Sequence, residues 1–276
     1  MYKSIPILLS SFILFGFVSS SFAAKSSIIR VAIYADEGTM GKCIKKSWDI
    51  VRQEKDMAID TIKQADIVNG KLALYDVLLL PGGSGSGEAE SLKQAGRQAV
   101  IKFVANGKGV VATCAGAYLV AKGWNEGTRD IELINAELYD LDNWDRGVQT
   151  ITCKTMSDNR KEPVEFQIHF ENGPIYVPAH DPYLPEYVSL ATFVTDMHKS
   201  GAPANMMAGK DAIAAAYFGK GKVVSFSPHP ELTPGLEQML VQAIRWTAKP
   251  VKKEHEKITF QSVFGHNLFK KIDKSK

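Results

Sequence analysis

The sequence predicts an α/β protein: an open, doubly wound parallel sheet with an antiparallel β section inserted late in the chain. Three observations predict it. Residues 28–35, 75–80 and 108–113 are short, nearly continuous apolar runs, the pattern of strands covered on both faces. Stretches with helical spacing of apolar residues alternate with them, the arrangement of parallel-sheet folds. Between residues 131 and 194 the pattern changes to short alternating runs separated by Asp, Asn and Gly turns, which is the antiparallel signature.

In chain order, the first residues read as a targeting signal and not as part of the fold. Lys3 gives a positive start, residues 5–18 form an apolar core too short to span a bilayer, and Ser21-Phe22-Ala23 supplies the small residues of a cleavage site. Cleavage after Ala23 is expected, leaving an exported, soluble chain, periplasmic or secreted. An uncleaved membrane anchor is the alternative. No later apolar run is long enough to cross a membrane.

Residues 28–35 are the first strand. Residues 41–53 follow as a helix, with Ile44, Trp48 and Val51 on one face. Residues 58–65 carry a weaker strand signal and 66–70 a turn. The strand at 75–80 stops at Pro81-Gly82-Gly83-Ser84-Gly85-Ser86-Gly87, a glycine-rich loop able to present backbone N–H groups to an anion. It lacks the Lys and Ser/Thr of a phosphate loop, so an oxyanion role or a plain turn are the open readings. Residues 88–106 form the next helix with Gly107 as its C-cap, 108–113 a strand, and 115–122 a helix.

In the antiparallel section, residues 149–154, 164–170 and 174–178 are the alternating runs, and Glu171-Asn172-Gly173 reads as a hairpin signal. Residues 140–146 form a polar loop carrying an exposed Trp144. Two strands, 211–218 and 222–227, flank Gly219-Lys220-Gly221, and a last helix spans 234–247. The main domain is therefore expected over residues 24–247. Residues 248–276 form a basic tail, either poorly ordered or docked on the surface, with anion or membrane binding as the alternative. A net charge of +3 and the lack of a basic, aromatic-interleaved patch argue against a nucleic-acid partner.

The chemistry centres on Ala112-Thr113-Cys114-Ala115-Gly116. A strand that breaks into a helix through small residues, with one thiol at the break, is a nucleophile elbow: larger side chains do not fit around so sharp a turn. A thiol needs a base, and the base an orienting group. His229 and Glu231, in Pro228-His229-Pro230-Glu231, follow the end of a late strand, on the same carboxyl edge of the sheet where Cys114 ends an earlier one. His198, His255 and His266 lack metal-ligand spacing, and neither metal nor cofactor is expected. Tyr118 either shapes the pocket or packs in the core. His180 is a further candidate for the pocket wall. The three cysteines leave two arrangements open: Cys43 bonded to Cys153 with Cys114 free, or three separate thiols.

Leu80-Pro81-Gly82-Gly83, Cys114-Ala115-Gly116-Ala117-Tyr118, Glu171-Asn172-Gly173-Pro174 and His229-Pro230-Glu231 resemble the flavodoxin-like class I glutamine amidotransferase-like superfamily. Within it they are most similar to the amidotransferase-like N-terminal domain of biotin–protein ligases and its stand-alone bacterial relatives. The resemblance spans most of the chain to about Thr247. It implies Cys114 as nucleophile, His229 as base, Glu231 as orienter, the N–H groups of Gly83 and Ala115 as oxyanion hole, Gly82 in the pocket, and acyl-thioester chemistry on a small-molecule or peptide-like amide. No biotin-ligase catalytic domain is recognisable, so biotin transfer is not implied. The sequence departs from true glutaminases, which carry Gly-His-Gln where this chain has Gly116-Ala117-Tyr118, so glutamine specificity is not implied either. A non-catalytic binding or scaffold module on the same fold is the competing expectation.

Overall fold

The computed structural model describes residues 28–123, 131–157, 162–251 and 256–269. The signal segment read at residues 1–23 lies outside the described residues.

Five strands form the parallel part of the sheet. β1 (Ile29–Tyr34) is flanked by β2 (Met57–Ile62) and β3 (Val77–Leu80), and the series continues through β4 (Gly109–Thr113) to the late β11 (Gly221–Phe226). Each neighbouring pair is parallel. The order β2-β1-β3-β4-β11 is the flavodoxin-like 2-1-3-4-5 arrangement. Every residue of β3, β4 and β11 is buried, because helices cover both faces. On one face α1 (Gly41–Val51) and α5 (Glu237–Ala248) pack on Val31, Ile33 and Val111. On the other, α3 (Gly85–Ala105) and α4 (Ala115–Val120) pack on Ala32, Tyr34, Val110 and Ala112. Alternate residues of one strand thus feed two separate apolar layers.

The antiparallel section extends this same sheet. β10 (Asp211–Phe218) forms a hairpin with β11, and β9 (Val188–Phe193), β6 (Val148–Thr155) and β7 (Glu165–Glu171) follow outward from it. Two short strands, β5 (Ala136–Leu138) and β8 (Tyr176–Pro178), pair with each other beside β10.

Three local readings are corrected and one open alternative is settled. Residues 66–70 are not simply a turn: α2 (Gln64–Val68) forms there because the Asp66 carboxylate accepts the Lys63 N–H at 3.1 Å and closes the first helical turn. The glycine-rich loop is shorter than its composition suggests. Ser84 Oγ accepts the Gly87 N–H at 3.2 Å, so α3 starts at Gly85 and only residues 81–84 stay in the loop. Glu171-Asn172-Gly173 is no hairpin turn, since β7 pairs with β6 whereas β8 pairs with β5 and β10. A Cβ at Gly173 would lie 2.0 Å from the Ser227 carbonyl oxygen, so the glycine marks a close crossing of two chain segments. Finally, no disulfide joins Cys43 to Cys153; all three cysteines are buried free thiols.

The described part of the tail docks. α6 (Phe260–Phe264) is capped by Thr259 and buries Phe260, Val263 and Phe264. The Phe264 ring lies 5.7 Å from that of Phe226 in β11, and Phe269 stacks between Phe260 and Phe166. Such aromatic pairs add about 0.5–1.5 kcal/mol each beyond area burial. No helix among the described residues is long and apolar enough to cross a membrane.

Glu88, in the first turn of α3, is fully buried, and neither carboxylate oxygen has a hydrogen-bond partner among the described residues. Burial raises its pKa well above the ordinary carboxylate value, so the folded chain holds it as a neutral acid. The unfolded chain releases that proton near pH 4.5 while the folded chain keeps it, so stability falls as pH rises above that point. Glu88→Gln should therefore gain stability over wild type as the pH rises above about 5, by at most about 1.4 kcal/mol per pH unit. Paired urea melts at several pH values measure this, and a difference that stays flat with pH would contradict it.

Candidate active site

β4 and β11 lie side by side in parallel register, with Thr113 opposite Phe226. The chain leaving β4 is tied to that neighbour by a bond from the Cys114 N–H to the Phe226 carbonyl, 2.9 Å. Cys114 itself sits at φ 49°, ψ −102°, a conformation that L-residues other than glycine rarely adopt. α4 starts at the next residue. Its Gly116 N–H bonds the Pro81 carbonyl at 3.0 Å, which docks the helix start on the β3 loop. A Cβ at Gly116 would fall 2.4 Å from the Leu80 carbonyl oxygen, which is why small residues surround the thiol. The elbow read from the sequence is therefore present, strained, and open to a cleft.

The chain leaving β11 reaches His229 and then a single 3-10 turn, Pro230–Leu232, which carries Glu231. His229 Nδ1 and Glu231 Oε1 are 2.8 Å apart, with the residues 1% and 2% exposed. Thr113 Oγ1 makes a longer contact to the same carboxylate oxygen, 3.4 Å. The His229 backbone is held from a third direction: its N–H donates to the His169 carbonyl of β7 at 2.8 Å, and Thr233 Oγ1 donates to its carbonyl at 2.7 Å. Burial opposes a charge on this imidazole, but the Glu231 carboxylate and the Cys114 and Cys43 sulfurs outweigh it. The imidazolium is held well above the ordinary histidine range. Removing one partner of so buried a pair costs about 3–5 kcal/mol, because the other is left uncompensated.

A cleft of about 410 Å³ opens over these groups. Cys114, His229, Gly83, Ala115 and Tyr118 all line it. Gly83 faces Thr39 in an antiparallel bridge whose hydrogen bonds are made by the flanking residues, Met40 N–H to Gly82 and Ser84 N–H to Gly38. The Gly83 N–H is not spent on that bridge. Ala115 is the first residue of α4, where no intrahelical carbonyl is available to its N–H. Gly82 lies beneath: a Cβ there would come within 2.7 Å of His229 Cε1 and 2.9 Å of Cys43 Sγ. Tyr118 is nearly buried, and its hydroxyl donates to the Asn172 carbonyl at 2.8 Å. It therefore both packs and shapes the pocket. His180 is different. It is exposed, at φ 54°, in the loop after β8, and it is not part of the cleft wall.

The structure adds groups that sequence reasoning did not assign to the site. The Cys114 thiol donates to the Glu171 carbonyl at 3.2 Å. The Glu171 side chain lines the cleft, where Lys42 pairs with it and His169 Nε2 lies 2.7 Å from it. Burial works against the Glu171 carboxylate charge, yet its bonds to His169 and Lys42 hold its pKa below the ordinary value. Met40, Trp144 and Val148 form an apolar wall, with Trp144 about half exposed. Cys43, on α1, points its sulfur at His229 Nδ1 from 3.9 Å. Only the Glu171-Asn172-Gly173-Pro174 phrase signalled part of this set. Lys42, Cys43 and His169 carry no local signature, since they meet the site across the sheet.

Residues 29–138 match the family described as biotin-protein ligase, N terminal. The matched part includes Gly82, Gly83, Cys114, Ala115 and Tyr118, and ends before His229 and Glu231. No curated protein matches the chain in sequence. Among solved structures, a ThuA-like protein from Bacteroides uniformis superposes with a TM-score of 0.53 at 14% identity, covering 81% of this chain and 93% of that one. A glutamine amidotransferase from Thermotoga maritima aligns with a TM-score of 0.49 at 14% identity, covering 76% and 79%. Over residues 29–138 the chain thus resembles the N-terminal domain of biotin–protein ligases, and it shares its fold with the ThuA-like protein.

Gly82→Ala should disturb the site without unfolding the sheet, because its new methyl group meets two side chains and not backbone. Alkylation of Cys114 by iodoacetamide, followed by peptide mass spectrometry, is expected to slow about tenfold or more, as a misplaced base typically costs. Circular dichroism should be unchanged. An unaltered alkylation rate would mean that His229 does not activate this thiol.

Proposed function

We propose that this chain is a cysteine-dependent amidase or hydrolase acting on a small-molecule or peptide-like amide. The observation that carries the reading is the strained Cys114 on the cleft floor, with the buried His229–Glu231 pair at the end of the adjacent parallel strand. In this reading His229 takes the Cys114 proton as the sulfur attacks the amide carbonyl. Glu231 holds the imidazole oriented, and the Gly83 and Ala115 N–H groups receive the developing oxyanion. The amine leaves with the proton from His229, and water then releases the acyl group from the thioester. The cleft volume suits a small ligand or one side chain of a peptide. Its lining mixes apolar Met40, Trp144 and Val148 with polar Glu171 and Asn172, which favours an amide that carries both apolar and polar groups. The signal read at residues 1–23 supports an exported protein that acts outside the cytoplasm.

One observation favours a second reading. The Cys114 thiol is bonded to the Glu171 carbonyl, and among the described residues His229 Nε2 has no hydrogen-bond partner. A ligand-binding module without turnover would tolerate that arrangement, whereas an enzyme must turn the thiol toward Nε2 when substrate arrives.

Turnover of amide, ester and γ-glutamyl substrate panels by wild type and Cys114→Ala separates the two. The hydrolase reading expects at least one substrate whose kcat/KM falls about a thousandfold or more in the variant, with an acyl adduct on Cys114 visible by intact-protein mass spectrometry. It also expects His229→Ala to lose rapid thiol alkylation. Equal, background-level rates for both proteins, together with retained ligand binding, would establish the binding module instead.

A further inference from the structure

The Cys43–His229–Glu231 group poses a chemical problem that the triad does not solve. His229 Nδ1 offers either one proton or one lone pair. Two partners converge on it: Glu231 Oε1 at 2.8 Å and Cys43 Sγ at 3.9 Å. If Nδ1 carries its proton toward Glu231, as a triad requires, it cannot also accept from the Cys43 thiol. The other Glu231 oxygen, Oε2, is buried with no hydrogen-bond partner among the described residues. All three side chains are at most 2% exposed. One ligand atom from each, a sulfur, an imidazole nitrogen and a carboxylate oxygen, lies within 4.8 Å of the others.

We propose that Cys43 Sγ, His229 Nδ1 and a Glu231 carboxylate oxygen form a binding site for a thiophilic divalent cation of the Zn²⁺ type, whose occupancy switches the Cys114 site off. A mixed S, N, O donor set is a zinc-type set, and three protein ligands leave a fourth position for water. The sulfur–nitrogen spacing is close to that of a tetrahedral site: with Zn–S near 2.3 Å and Zn–N near 2.05 Å, the two stand about 3.6 Å apart, against 3.9 Å here. The Glu231 oxygen, at 2.8 Å from Nδ1, must move out to about 3.4 Å to join them. The ion resolves the conflict at Nδ1, because all three donors then face one positive charge. Of the three ligands only His229 lines the cleft, so entry requires the buried group to open toward it. On binding, the Cys43 thiol proton and the Nδ1 proton of the His229 imidazolium both go to solvent, and Nδ1 presents its lone pair to the metal. The neutral imidazole then carries its hydrogen on Nε2, the nitrogen that the hydrolase reading needs as acceptor for the Cys114 proton. The inhibitory consequence rests on that reading; the metal site does not.

The test uses Co²⁺ as a spectroscopic stand-in for Zn²⁺ on the full chain under reducing, chelator-free conditions. Wild type and Cys114→Ala should each bind one equivalent, with a near-ultraviolet thiolate-to-metal band and visible d–d bands, all displaced by Zn²⁺. Cys43→Ser and Cys43→Ala should lose the thiolate band and bind at least a hundredfold more weakly. Zn²⁺ should raise the Tm of wild type and of Cys114→Ala but not of the Cys43 variants, a readout that also reports whether each variant is folded. In the same samples, Zn²⁺ should slow alkylation of Cys114 in wild type and lose that effect in Cys43→Ala. The metal site is refuted if wild type binds no stoichiometric Co²⁺, or if the thiolate band survives in Cys43→Ser and vanishes in Cys114→Ala. Metal binding as expected with no hydrolysis of any substrate would refute the hydrolase reading while leaving the site standing.

Discussion

The candidate site depends on one pairing, the parallel ladder between β4 and β11. These strands are far apart in sequence, yet Thr113 lies opposite Phe226 and the Cys114 N–H bonds the Phe226 carbonyl. Parallel neighbours end at the same edge of a sheet. The residue that ends β4 and the residues just past β11 are therefore brought together whatever the rest of the chain does. A one-residue slip of register would move every β11 side chain to the opposite face. It would undo both apolar layers, since Val223 packs on one side and Val224 and Phe226 on the other. The burial that stabilises the sheet thus also sets the spacing of the thiol and the imidazole.

The antiparallel section is the second support. β7 holds the His229 backbone through His169 and gives its Glu171 carbonyl to Cys114, and the segment after it gives its Asn172 carbonyl to Tyr118. Gly173 lets this segment cross the Ser227 carbonyl at close range. The extension of the sheet is therefore a wall of the site and not a separate appendage. α6 and the docked end of the chain seal the far side of β11 and β7 with aromatic packing.

Much of the parallel half was legible because its strands are buried on both faces and read as continuous apolar runs. The elbow was legible for a related reason: a strained turn excludes large residues, so Ala112, Ala115 and Gly116 announce it. The misreadings share a different cause. α2 and the early start of α3 depend on single side-chain oxygens, of Asp66 and Ser84, that cap helices. Composition alone does not say whether such a residue caps a helix or turns a loop. The hairpin expected at Glu171-Asn172-Gly173 failed because glycine serves close crossings as well as tight turns.

The sequence by itself determined the α/β class, the strand-to-helix break at Cys114 and the His229-Pro230-Glu231 turn. Each is a local pattern in which periodicity, residue size or short spacing carries the information. Only the tertiary structure decided which groups surround those residues. It set Cys43 of α1 against His229 and not against Cys153, brought Glu171 to the cleft with Lys42 and His169 paired to it, and left His180 outside. Contacts across a sheet depend on strand order and register, which are set by the burial of all the strands together, and no short stretch of sequence encodes them.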